Sequence, residues 1–85
     1  MNPELRTLWK QTAKKDLRRL ESALAQRLIL AVEMFAETGR GDVKSLQGSY
    51  QRMFRLRIGD WRILLQVEGD VLYVLRVLPR GQAYK

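Results

Sequence analysis

Arg55-Leu56-Arg57-Ile58-Gly59-Asp60-Trp61-Arg62 packs three arginines into eight residues around a Gly-Asp pair. Gly-Asp between alternating apolar runs predicts a tight hairpin, because glycine supplies the positive φ such a turn needs. In that hairpin Ile58 faces Trp61, Arg57 faces Arg62 and Leu56 faces Ile63. Opposed residues share one face of a sheet. One face therefore collects Phe54, Leu56, Ile58, Trp61, Ile63 and Leu65, and the other collects Arg55, Arg57 and Arg62. Like charges side by side cost stability. A chain that keeps them there has an anion to hold, and a guanidinium fork matches the oxygens of a phosphate two at a time.

Composition narrows the chemistry. The 85 residues contain no cysteine and no histidine, which excludes disulfides, thiolate metal sites and Ser-His or Cys-His nucleophile pairs. The formal charge is +7, with 11 arginines against 5 lysines. Residues 49–85 carry 7 basic and 3 acidic side chains, a net +4 in the shorter part of the chain. An excess of this sign and type points to a phosphate-bearing or acidic partner. The plain alternative is a solvated, solubilising surface.

These side chains need elements to position them. Eighty-five residues predict one domain, residues 1–85. No leader-like apolar core is visible near Met1, and the longest apolar run, Leu28 to Val32, is far too short to span a bilayer, so a cytoplasmic protein without membrane contact is expected. Leu5 to Lys10 reads equally as a short strand or a ragged helix start. From Thr12 a helical period takes over through Ala13, Leu17, Leu20 and Leu24. A second helix carries Leu28, Ala31, Val32 and Phe35 on one stripe, with Ser22 as the expected N-cap and Gly39 as its stop. Arg40 to Asp42 reads as loop and Val43 to Gly48 as a connector. Strands follow at about Arg52–Ile58, Trp61–Glu68 and Val71–Leu78. The expected architecture is α+β: an N-terminal helical hairpin on a three- or four-stranded antiparallel sheet, in the order β-α-α-β-β-β.

The turn at Gly69-Asp70 decides where Arg76 points. With two residues in the turn, Arg76 falls on the apolar face. With three, Val67 faces Val71, Arg76 joins the other arginines, and Val71, Tyr73, Leu75 and Val77 face the core. An unpaired buried charge is costly, so the three-residue turn is the expectation.

The chain resembles the RelE/ParE superfamily of bacterial toxins. The resemblance runs through Ala13-Lys14-Lys15-Asp16-Leu17 with Leu20, Val43-Lys44-Ser45-Leu46-Gln47-Gly48, Phe54 to Leu64, and Leu75-Arg76-Val77-Leu78-Pro79-Arg80-Gly81-Gln82-Ala83-Tyr84. It implies a toxin of a type II toxin–antitoxin pair. RelE-type members are ribosome-dependent endoribonucleases that cut messenger RNA; ParE-type members keep the fold and poison DNA gyrase. Both kinds are neutralised by a small antitoxin. Operator DNA would be met only as a toxin–antitoxin complex. By motif position the catalytic set falls on Arg55, Arg62, Arg80 and Tyr84, with Arg57, Arg52 and Arg76 as further RNA-binding candidates.

A ribonuclease of this kind needs neither histidine, metal nor organic cofactor. The ribose 2′-OH attacks the adjacent phosphorus, and arginines stabilise the charge that builds on the phosphoryl oxygens. Tyr84 would take the proton if neighbouring cations favoured its phenolate. Each residue also has a plainer reading. Arg55, Arg57 and Arg62 can form a solvated face or an antitoxin dock, Arg80 can be merely exposed, and Tyr84 can pack on a sheet edge. Arg76 reads more as shaping the charged face, and Arg52 should point away from it. Phe54 and Trp61 read as core, and Tyr50 reads as loop packing or a base-stacking ring.

Overall fold

Alternating apolar residues build the sheet, and a 3.6-residue apolar stripe covers one side of it. The computed structural model describes residues 4–46 and 52–81. Its elements are β1 (Arg6–Trp9), α1 (Gln11–Arg18), α2 (Ser22–Thr38), β2 (Asp42–Ser45), β3 (Arg52–Ile58), β4 (Trp61–Glu68) and β5 (Val71–Pro79). They form a five-stranded sheet in the order β1-β5-β4-β3-β2. Strands β2 to β5 pair antiparallel, and β1 pairs parallel with β5. The α+β layout agrees with the sequence reading, but the sheet is larger by an edge strand and not wholly antiparallel. The ambiguous N-terminal stretch is strand β1. Much of the supposed connector is β2, which its single half-buried apolar residue, Val43, hardly advertises.

The core lies between α2 and the sheet. Leu28, Val32 and Ala36 of α2 and Ala13 of α1 are buried against Leu56, Ile63, Leu65, Val67, Leu72, Val74 and Val77. Gly39 closes α2 as expected: its φ is 76° and its N–H donates to the Phe35 carbonyl. Ser22 is not the cap. It is the first helical residue, Glu21 holds the cap position, and no side chain bonds the helix start. No helix among the described residues is long and apolar enough to cross a membrane.

The β4–β5 connection corrects the sequence reading. Glu68 is registered with Val71, so the turn holds two residues. Leu72 and Val74 are buried, while Val71 and Tyr73 lie on the side away from the helices. The phase changes further along, where Leu64 pairs with Arg76 but Leu65 pairs with Val74. Leu75 is the extra residue, a β-bulge. Past it Arg76 stands on the same side of the sheet as Leu64, its register partner, and Val77 enters the core. Arg76 thus sits on the expected side, by a different device.

Helix α1 satisfies the backbone that the bulge disturbs. Thr12 Oγ1 donates to the Leu75 carbonyl at 2.7 Å. The Val77 N–H donates to Asp16 Oδ2 at 2.8 Å, and Arg76 donates to both oxygens of the same carboxylate. Burial pushes the Asp16 carboxyl up, but the Arg76 bond, the Val77 N–H and the nearby positive charge outweigh it and hold it below the ordinary 3.8. A lowered acid stabilises the fold at pH values above its unfolded pKa, and the contribution disappears as pH falls through the folded one. Asp16→Asn is therefore expected to cost about 1–3 kcal/mol near neutrality. Parallel thermal melts should show that gap closing below pH 3.8.

Candidate nucleic-acid interface

The hairpin that carries the arginines forms with the register its sequence dictates. Ile58 pairs with Trp61, Arg57 with Arg62 and Leu56 with Ile63. Gly59 takes a φ of 58° at the first central position of the turn, where no side chain is tolerated cheaply. Phe54, Ile58 and Trp61 pack on the core side, as expected of them. Arg55, Arg57 and Arg62 stand on the opposite side of the sheet.

Two cross-strand rows define that surface. One runs Asp42, Arg57, Arg62, Leu78; the next runs Lys44, Arg55, Leu64, Arg76. Adjacent strands lie roughly 4.8 Å apart and alternate residues of one strand roughly 6.8 Å apart. The backbone therefore plants Arg55, Arg57 and Arg62 within the span of a single phosphodiester. Lys44 belongs to the same surface, which the sequence does not announce, because its stretch has a single half-buried apolar residue and reads as a connector. Its register partner is Arg55.

The three hairpin arginines are not equivalent. Arg57 is exposed and Arg55 half-buried, while Arg62 is 4% exposed. One terminal nitrogen of Arg62 donates to the carbonyls of Gly59, at 3.0 Å, and Trp61, at 3.1 Å. Its Nε is buried with no hydrogen-bond partner among the described residues. Arg62 thus braces the turn from beneath the cationic surface, with its Nε left as a buried, unsatisfied donor.

The remaining candidates divide. Arg80 follows β5, is exposed, and its main-chain N–H donates to the Asp60 carbonyl at 2.7 Å, which fixes it beside the same turn. Arg76 shares the face, but its guanidinium is engaged by Asp16, which raises its pKa. Arg52 does not join the set. It is registered with Val67 on the helix side, where it lines a cavity with Phe35 and Phe54. Tyr84 and Tyr50 lie outside the described residues. Lys10 adds a cation 4.9 Å from the Tyr73 ring centroid, a cation–π pair. Chemically, the surface can hold an anionic diester and neutralise charge that grows on it.

Comparison with known proteins places the chain in a lineage. A family model described as the ParE toxin of the type II toxin-antitoxin system, parDE, matches residues 7–84. The chain is 29% identical to Toxin RelE3 of Methanocaldococcus jannaschii over 85 residues, covering 94% of this chain and 96% of that one. The RelB-RelE antitoxin-toxin complex from Methanococcus jannaschii superposes with a TM-score of 0.74 at 28% identity, covering 91% of this chain and 94% of the other. The archaeal RelE-RelB complex from Pyrococcus horikoshii OT3 superposes with a TM-score of 0.79 at 24% identity, over 94% and 99% of the two chains. At that identity the second likeness speaks for the fold.

Proposed function

The chain belongs to the RelE/ParE superfamily of type II toxin–antitoxin toxins, and on that premise we propose that it is a metal-independent endoribonuclease cutting messenger RNA on the ribosome. The observation that carries this reading is the single cationic surface made by Arg55, Arg57 and Arg62, with Arg80 anchored beside their turn. In the reaction the 2′-OH loses its proton and attacks phosphorus. The P–O5′ bond breaks, leaving a 2′,3′-cyclic phosphate and a 5′-hydroxyl. The guanidinium groups stabilise the extra negative charge on the phosphoryl oxygens, the step in which fixed positive charge counts most. Arg57 and Arg55 bind the diester, Arg80 neutralises the leaving side, and Tyr84 takes the 2′-OH proton. Arg62 holds the turn that carries this constellation and adds its positive charge from beneath.

A cognate antitoxin is the protein partner in this proposal, by kinship with the RelB-bound relatives. The cationic face favours a partner that brings negative charge to it, so the antitoxin supplies carboxylates there.

A second reading, gyrase inhibition without RNA cleavage, draws on the cross-strand row beyond Arg55. That row is Met53 with Gln66, so the positive charge stops short of the sheet's end. Induced expression with mapping of mRNA 5′ ends on translating ribosomes separates the two. Codon-phased cuts with the wild type, lost in Arg80→Ala and Tyr84→Phe, are expected. Toxicity that persists in both variants without cuts assigns the target to gyrase instead.

A further inference from the structure

We propose that the outer edge of β1 is a strand-addition site for an extended, basic segment of a partner protein, on the side of the molecule away from the arginine surface. The ladder fixes which backbone groups are free. Arg6 N–H donates to the Asp70 carbonyl and Lys10 N–H to the Val74 carbonyl, so the even-numbered residues of this stretch bond to β5. The odd-numbered ones point outward. Leu5 N–H donates to the Ala36 carbonyl at the end of α2. The N–H and C=O of Thr7 and the N–H of Trp9 therefore lie on the edge of the strand turned away from β5. An open strand edge of this kind is a template for another strand.

The edge opens into a groove of about 550 Å³ between β1 and α2. Trp9, Ile29 and Ala36 line its apolar part, and Glu4, Glu33 and Glu37 line its rim. Three of the chain's nine acidic residues therefore meet in one groove of a molecule whose net charge is +7. The cation among the lining residues, Arg6, lies 3.7 Å from Asp70 instead. The carboxylates do not form a group able to hold a metal ion among the described residues. Their sign turns away nucleic acid. It also disfavours a second copy of this chain, because two-fold strand pairing would set these carboxylates against themselves.

Spacing matches an extended occupant. Leu5 meets Ala36 at one end of the groove and Trp9 and Ile29 line it together, so α2 runs antiparallel to β1 beside it. Glu33 and Glu37 are one helical turn apart, about 6 Å along the axis. Alternate residues of an added strand are about 6.8 Å apart. Two lysines or arginines at alternate positions therefore meet the two carboxylates, while the strand backbone bonds Thr7 and Trp9.

The test titrates full-length, isotope-labelled chain with a capped nonapeptide of alternating lysine and valine, and with its glutamate–valine counterpart. The basic peptide is expected to shift and protect the Thr7 and Trp9 amides, and Glu33→Gln/Glu37→Gln to weaken binding at least tenfold. Thr7→Pro should abolish it, since the lost N–H points outward and β5 pairing survives. Should that variant fail to fold, the double glutamine variant still decides. Shifts confined to other surfaces, equal binding of the acidic peptide, or concentration-dependent self-protection of Thr7 without peptide would each overturn the proposal.

Discussion

Arg57→Ala is expected to lower mRNA cleavage roughly 100- to 1,000-fold, the usual effect of deleting one fixed stabiliser of a charged transition state. Stability should change by less than about 0.5 kcal/mol, since substitutions at exposed sites away from special features have small effects. Removing an exposed cation from beside Arg62 even relieves repulsion across the pair. Arg62→Ala is expected to lose cleavage as well, but by a different route. Its side chain is 4% exposed and holds two turn carbonyls. Deleting it leaves those carbonyls short of a donor at a cost of about 1–3 kcal/mol. Chemical denaturation and single-turnover cleavage on both variants separate the roles. Equal destabilisation by the two would remove the distinction drawn between a diester ligand and a turn brace. Unchanged cleavage in Arg57→Ala would remove the proposed chemistry.

That distinction was invisible in the sequence, where Arg55, Arg57 and Arg62 look alike. Alternation assigns a face; it says nothing about which guanidinium curls back onto its own turn. The hairpin register itself was fully legible, because Gly59-Asp60 leaves little freedom in how two strands can meet. The β4–β5 pairing was half legible for an instructive reason. An extra residue in the turn and an extra residue inside the strand shift everything beyond them by the same one position. Arg76 and Val77 therefore come out on the right sides under either account, whereas Val71 and Tyr73 do so only under the second. What selects the bulge is tertiary: Thr12 and Asp16 of α1 supply partners for Leu75 and Val77. No local pattern encodes a bond between residues 61 positions apart. Of the edge strands β1 was half legible and β2 escaped, since four residues with one exposed face carry too few apolar positions to show a period.

Leu28→Ala is expected to have the largest effect on stability. Leu28 is fully buried at the centre of the stripe by which α2 covers the sheet. Truncating a buried leucine costs about 2–5 kcal/mol. A domain of this length has roughly 4–13 kcal/mol in all. For so small a domain each kcal/mol moves the melting temperature about 4–8 °C, so a drop of roughly 10–30 °C is expected by calorimetry. Leu30→Ala, two residues away but 65% exposed, should melt within a few degrees of the wild type. The cavity left by Leu28 opens on the helix side of the sheet, whereas the arginines project from the other. Cleavage by Leu28→Ala at low temperature should therefore stay within about twofold of normal and then collapse with the fold, well below the wild-type limit. Loss of activity already in the folded range would mean that core packing sets the arginine geometry through the sheet. The hairpin register, fixed by its own turn, argues that it does not.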